Sequence, residues 1–499
     1  MTPEVIAAAV GKYTLVVLVM TGAIPLVAAT YQFLLIGIHR LRHHYDKAAP
    51  HFPRTAILIP AWNEEAVIGT SIDRLMQLSY PADRLRIYVV DDASTDRTPD
   101  VVLRKASEYP GRVVHLRREN GGQGKAHTLN HGLEIILEDD WMEALLIMDA
   151  DVIYEPDSLR KMTRHLADPD VGSVTAYIKE GSRPNNWMQR FIGYEYITAQ
   201  AAARRAQNVL GALACLAGGA QLHSRANLEA IGGRIDTSSL AEDTFTTINT
   251  QLAGNRCVFE GNAIVRAEEP DGIVGLWKQR LRWARGNVQV SLRFRSLWFR
   301  PSTEHRLGSV SFAIFWFSIF LLPVFMILSS ASLVVLFFID FPLSWATFQR
   351  LWIINALSFA FITTYALLID TETSQTTWRE GVMFPGAGSL LIILYTVFPK
   401  AFVWVIENGF DVVGVDLTPL MIKSVIFTAY VWVAACMLVA YLGKIAEARG
   451  WFRLLSPFFV YLGGYGPLLC ACTFASYIYE MRGAEMKWDK TVKTGKVAA

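Results

Sequence analysis

Apolar residues gather in long uncharged runs at both ends of the chain and in short runs between them. Residues 13–38 carry no charge over 26 positions, longer than the roughly 20 a helix needs to cross a bilayer. His39, Arg40, Arg42, His43 and His44 follow at once. A cleaved leader has a shorter apolar core preceded by positive charge, so this pattern predicts a retained span whose C-terminal end is cytoplasmic. Five further uncharged runs occupy residues 307–339, 351–369, 381–399, 424–443 and 454–479. If all five crossed once, Arg482, Lys487, Lys490, Lys493 and Lys496 would end outside, against the positive-inside rule. Pro385 and Pro399 bracket the third run and Lys400 follows it, so it reads as interfacial or re-entrant, which returns the tail to the cytoplasm. The alternative is that 307–339, broken by Pro323, crosses twice.

Between about 50 and 305 the composition is that of a soluble domain. Residues 55–60, 86–90, 113–116 and 144–148 have strand length and β-branched content. Amphipathic stretches alternate with them: residues 64–78, and a helix with Thr98 as N-cap and Pro99 at its first position. The alternation predicts a doubly wound, Rossmann-like α/β sheet. In such sheets ligands bind beyond the carboxyl ends of the strands.

Composition agrees with a membrane protein. Apolar residues are 52% of the 499 and charged residues 18%, too little polar surface for a purely soluble body of this size. Disorder and a fibrous fold are excluded. Net charge is 47 − 45 = +2, which gives no broad cationic field, so nucleic acid is not expected as a partner. Five scattered cysteines without a CxxC indicate neither a disulfide framework nor a zinc site.

Carboxylates crowd the expected strand ends: Glu64 and Glu65 after the first, Asp91 and Asp92 at the second, Asp149 and Asp151 after the fourth. Asp149 and Asp151 stand at i and i+2, which in an extended strand point the same way. Carboxylates facing one crevice repel unless a positive group lies among them. A divalent cation holding a diphosphate meets that need, since Mg²⁺ takes one or two carboxylates and completes its shell with phosphate oxygens and water. A solvated loop or helix cap is the plainer alternative for any single Asp-x-Asp. Lys125 sits in a glycine-flanked turn suited to phosphate. An indole face such as that of Trp283 suits a sugar ring, and an arginine fork such as that of Arg282 suits a diphosphate.

The order of motifs resembles that of inverting family 2 glycosyltransferases of the membrane-embedded polysaccharide-synthase type, which make cellulose, chitin, hyaluronan or poly-N-acetylglucosamine. The matching stretches are IPAWNEE (59–65), VVDDASTDRT (89–98), NGGQGKAHTLN (120–130), MDAD (148–151), AGGAQLHSR (217–225), AED (241–243) and QRLRW (279–283). The resemblance implies a GT-A-like cytoplasmic domain at 46–284, inserted in an α-helical membrane bundle. Around it would lie an N-terminal span and basic segment at 1–45, an interfacial amphipathic segment at 285–306, and a bundle at 307–480 with a re-entrant part near 381–406. A basic tail would occupy 481–499. It implies a multi-pass protein of the bacterial plasma membrane that takes a UDP-sugar, UDP-N-acetylglucosamine or UDP-glucose, with Mg²⁺ or Mn²⁺. The acceptor would be a growing polysaccharide or a lipid-linked sugar, with room for accessory subunits of an export complex. Ala61, Glu64 and Asp92 would line the uridine pocket, with Asp91 either facing the base in place of Asp92 or standing as its structural neighbour. Lys125 and Asp149 would approach ribose and diphosphate, and Asp151 with Asp149 would hold the metal. Asp243, beside Glu242, would be the general base, and Gln279, Arg282 and Trp283 would meet diphosphate and acceptor sugar. The family usually has Thr-Glu-Asp where this chain has Ala241-Glu242-Asp243.

Overall fold

The four strands read from the sequence form as continuous buried runs. β1 (Thr55–Ala61), β2 (Leu85–Asp91), β3 (Val113–Arg117) and β4 (Ala144–Ile147) pair in parallel in the order β3-β2-β1-β4. β1 and β4 are buried almost throughout, as expected of parallel strands covered on both faces. The computed structural model describes residues 2–42, 49–404, 418–450, 455–486, 495 and 497. Basic residues His43, His44, Lys487, Lys490, Lys493 and Lys496, and the end of the 381–406 segment, lie outside that set.

Four more strands complete an eight-stranded mixed sheet among the described residues: β5 (Val152–Tyr154), β6 (Val171–Glu180), β7 (Gln221–Ser224) and β8 (Arg256–Ala267), giving the order β3-β2-β1-β4-β7-β6-β8-β5. β7 runs antiparallel to β4, with Ile147 opposite Gln221. The residues entering β7, Gly218 and Gly219, therefore lie at the edge where Asp149 leaves β4. At the same edge Ala61 stands opposite Asp91. The chain leaves β1 for β2 and β3 on one side and returns to β4 on the other, so β1 marks the switch point where open α/β sheets bind ligands. Leu58, Val90, Leu129, Leu133, Leu145 and Ile147 form the core beneath that edge.

Two helix boundaries differ from the sequence pattern. The stretch 64–78 is helical only over Ile68–Met76, because the Glu64 amide is donated to the Thr98 hydroxyl at 2.7 Å. That same bond takes Thr98 away from capping: its helix is Thr98–Glu108 with Arg97 in the cap position.

The chain divides into two compact units. One comprises residues 34–271, 282–313 and 483–499 and holds the sheet; the other comprises 1–33, 272–281 and 314–482. Among the described residues, four helices are long and apolar enough to cross a membrane, and up to six segments are if each of two bent pairs counts as one. The long run 307–339 is broken into Val310–Phe320 and Leu322–Ile339 around Leu321 and Pro323. The Pro-bracketed run belongs to a pair, Thr371–Val382 and Ala387–Val397, bent by 82°. Within the second unit Val19, Leu333, Phe348, Trp352 and Tyr430 form a common core, and the Ser329 hydroxyl donates to the Val19 carbonyl at 2.7 Å. Trp432 donates from Nε1 to Ser389 Oγ at 3.2 Å.

Candidate active site

Lys125 gathers the strand-edge carboxylates. It opens the helix Lys125–Glu138 behind Gly124, whose φ of 107° only glycine adopts readily. Its ammonium lies 2.6 Å from Asp149 and 3.6 Å from Glu242, and donates to the Gly218 carbonyl at 3.0 Å. Burial works against that charge, but Asp149, Glu242 and Asp243 outweigh it and raise its pKa above the ordinary lysine value. Glu242 is raised as well, first by burial, with Lys125 pulling it down and Asp243 pushing it up.

Glu242 and Asp243 begin the helix Glu242–Leu252, whose positive end favours acidic residues. Glu242 is buried at 5% exposure, whereas Asp243 is half-buried. Asp243 Oδ1 accepts the Thr244 amide at 2.7 Å. Its other oxygen lies 3.3 Å from where a Cβ on Gly218 would stand, and Lys125 Nζ lies at the same distance. A Cβ on Gly219 would fall 3.4 Å from Asp149 Oδ2. The two glycines thus leave a cradle against Asp149, Lys125 and Asp243 that any side chain would fill. Both were in view within AGGAQLHSR; their role became visible only when β7 paired with β4.

Among the described residues no cluster of three or more His, Cys, Asp or Glu could hold a metal. The donor set, Asp149 and half-buried Asp151 beside the open cradle, fits a cation that takes one or two carboxylates and fills its shell with phosphate oxygens.

The other carboxylate pair is already engaged. Asp91 is fully buried, with Arg117 at 2.8 Å, His115 at 3.7 Å and the Ser94 amide at 2.8 Å. Burial alone would raise its pKa, yet these partners hold it below the ordinary carboxylate value. Asp92 pairs with Arg118 and accepts the Gly122 amide at 2.9 Å. Ala61 is buried and its carbonyl accepts the Asp92 amide at 2.8 Å. Glu64 is half-buried behind Asn63, and Asn63 and Ala93 both have positive φ, 53° and 54°. Non-glycine residues held there concentrate at functional sites. Neither the strain nor Arg118 was foreseeable from spacing.

Gln279, Arg282 and Trp283 share one face of the helix Ile273–Arg293, at i, i+3 and i+4. Gln279 is buried and accepts from Arg280, while Trp283 is 37% exposed. The charge of Arg282 reaches Glu242. Three residues on, Gly286 lets the helix approach the turn before Asp243: a Cβ there would lie 2.6 Å from the Ala241 Cβ. The structure thus brings Lys125, Asp149, Glu242, Asp243 and Arg282 together; Ala61, Glu64, Asp91 and Asp92 stand at the ends of β1 and β2. Gln279 falls in the other unit.

A mixed sheet with carboxylates at the ends of β1, β2 and β4 and an acidic helix start facing them defines a GT-A-like glycosyltransferase domain. Residues 53–286 match the profile of a family described as glycosyltransferase like family 2, and the chain belongs to that family. It is 30% identical over 355 residues, 69% of this chain and 82% of the relative, to a probable glycosyltransferase, YdaM, of Bacillus subtilis (strain 168). It is 30% identical to a beta-monoglucosyldiacylglycerol synthase of Synechocystis over 249 residues, 50% of this chain and 51% of that one. A poly-beta-1,6-N-acetyl-D-glucosamine synthase of Staphylococcus epidermidis is 26% identical over 239 residues, 48% of this chain and 55% of that one. The chain thus spans about half the length of the last two relatives. The fold is similar to that of a mannosyltransferase from Pyrobaculum calidifontis solved with GDP-Man and Mn2+, at a TM-score of 0.50 and 22% identity, over 76% of this chain and 99% of that one. With four long apolar helices among the described residues, the chain fits a membrane protein.

Proposed function

We propose that this enzyme is a processive inverting transferase that polymerises a sugar from UDP-N-acetylglucosamine or UDP-glucose into a β-linked polysaccharide and passes it across the membrane. The observation that carries the reading is the single ammonium of Lys125 standing between Asp149, on the expected donor side, and Glu242 at the start of the helix bearing Asp243. In the transfer, Asp243 takes the proton of the acceptor hydroxyl as its oxygen bonds to the anomeric carbon, and the bond from that carbon to the diphosphate breaks on the opposite face. The electron pair leaves on the diphosphate. Lys125 and Arg282 receive that charge, so the leaving group needs no proton. Asp151 and Asp149 would hold Mg²⁺ or Mn²⁺, which when bound supplies further neutralisation of the diphosphate. Asp92, Glu64 and Ala61 would border the uridine, with Asp91 fixing the strand end behind them. Trp283 offers the acceptor sugar an indole face.

The catalytic domain would lie in the cytoplasm of a multi-pass protein of the bacterial plasma membrane, where the donor is made. A second reading is a single addition to a lipid acceptor, and the 30% identity to a glycolipid synthase favours it specifically. Purified protein given labelled UDP-sugars one at a time, with Mg²⁺ or Mn²⁺, separates the two. A ladder of products supports polymerisation, and a lone glycolipid of one added sugar overturns it in favour of the second reading. Absence of nucleotide release with any UDP-sugar overturns both.

A further inference from the structure

The helix that carries Gln279, Arg282 and Trp283 is held at its start by charged residues that the transfer chemistry above does not use. The first amides of a helix have no partner within it. Here the Ile273 and Val274 amides donate to the two oxygens of one carboxylate, Glu447 Oε2 at 3.0 Å and Oε1 at 2.9 Å. Glu447 lies in the last turn of the apolar helix Pro419–Ala448. The fit is close: a Cβ on Gly272 would fall 2.6 Å from Glu447 Oε1. One turn earlier on the same helix, Lys444 Nζ lies 4.8 Å from the ring centre of Trp277 and 5.2 Å from that of Tyr441, and the two rings are 5.0 Å apart. Glu447 and Lys444 stand at i and i−3, Ile273 and Trp277 at i and i+4, so matched faces of two helices carry both contacts. Gly443 closes the approach, since a Cβ there would meet Ile273 Cδ1 at 3.2 Å. An anion on the amides and a cation on the indole fix both the height and the rotation of the first turns of the helix.

We propose that Glu447 and Lys444 are positioning residues for glycosyl transfer, acting through the first turns of the helix Ile273–Arg293, which farther along carries Arg282 and Trp283. The inference rests on the reading of those two residues as diphosphate and acceptor-sugar groups. A rotation of this helix misplaces the acceptor sugar while water still reaches the anomeric carbon. Its mark is therefore the ratio of donor hydrolysis, which yields UDP and free sugar, to transfer onto acceptor, a ratio independent of how much protein is folded.

The test uses the full chain in detergent or vesicles. Glu447→Ala and Lys444→Leu should each raise the hydrolysis-to-transfer ratio about 10-fold and raise the acceptor KM, with the donor KM unchanged. Lys444→Arg, which keeps a cation over Trp277, should restore the ratio to within twofold of wild type. Hydrogen exchange without substrate gives a second reading: Glu447→Ala should speed exchange of the amides at 273–278 about 10-fold. Wild-type ratios in both variants, or unchanged exchange in Glu447→Ala, overturn the inference and leave the assignment of Arg282 and Trp283 intact. That assignment fails on its own if Arg282→Ala and Trp283→Ala transfer sugar at the wild-type rate.

Discussion

Replacing Lys125 by methionine keeps the stem of the side chain and removes the charge, and the consequence can be worked from the site. Asp149, with 40% of its side chain exposed, has water to turn to and loses little. Glu242 has no such recourse at 7% side-chain exposure. Left without its cation it either stays charged, which for a broken buried pair costs about 3–5 kcal/mol, or takes a proton. From a free glutamate value near 4.3, carrying the proton at pH 7 costs about 3.7 kcal/mol. The penalty at neutral pH is therefore capped at about 4 kcal/mol. Burial has already raised Glu242 above the ordinary value in the parent enzyme, and loss of Lys125 raises it further. A carboxylate whose folded pKa is raised destabilises at pH above that value and not below the unfolded one. Thermal unfolding of Lys125→Met should thus fall well below wild type at pH 7.5 and converge with it as the pH approaches about 4.5. Sugar transfer at pH 7.5 should drop about 10²–10³-fold through loss of charge at the diphosphate. A stability deficit equal at pH 4.5 and pH 7.5 refutes the coupling to Glu242, and undiminished turnover refutes the role of Lys125 toward the donor.

Asp243→Asn should lower transfer by about 10²–10⁴-fold while UDP affinity, measured by calorimetry, stays within twofold; substantial residual transfer removes Asp243 as the base. Gly286→Ala places a methyl 2.6 Å from the Ala241 Cβ and should cost about 1–3 kcal/mol of stability. Ala241→Gly in the same chain should recover most of that loss, and simple additivity of the two changes in thermal unfolding would deny the contact. His223, fully buried on β7, has its pKa depressed by burial to about 4. The unfolded chain takes up this proton from about pH 6.5 downward and the folded chain does not until about 4. Stability should therefore be lost as pH falls through that window, by roughly 3 kcal/mol in all, and His223→Gln should show a flatter slope between pH 6.5 and 4.

The first half of the sheet was legible because its strands are short apolar runs buried on both faces, and each ends in a polar cluster. The pattern of residues does not mark β5, β6, β7 or β8. β7 is four residues long and carries Gln221 and His223 in buried positions, so neither alternation nor apolar content marks it. β6 is buried throughout yet contains Ser173, Thr175, Lys179 and Glu180. Its charges find partners close along the chain: Glu180 accepts the Ser182 amide at 2.6 Å and lies 3.4 Å from Arg183, and Lys179 Nζ stands 5.5 Å from the ring centre of Tyr177. The apolar runs of the second unit were legible as positions but not as shapes. Whether 307–339 is one rod or two turns on Leu321 and Pro323, and a sequence signals the break without its angle.

The site was legible in its residue types and not in its order of contacts. Spacing shows that Asp149 and Asp151 leave a strand together; it does not show that one lysine 24 positions earlier, at Lys125, reaches Asp149 and Glu242 at once. That convergence needs β7 antiparallel to β4, since the reversal delivers Gly218 and Gly219 to the edge where Asp149 emerges. A parallel β7 would send the same glycines to the opposite edge, and Lys125 would face a carboxylate pair without the Gly218 carbonyl that accepts its hydrogen bond at 3.0 Å. Ala241, just before the Glu242-Asp243 pair, also has a close neighbour. A Cβ on Gly286 would fall 2.6 Å from the Ala241 Cβ, so the helix bearing Arg282 and Trp283 packs on the turn before Asp243 through a glycine against an alanine. The alanine and the glycine together set how near that helix comes to Asp243.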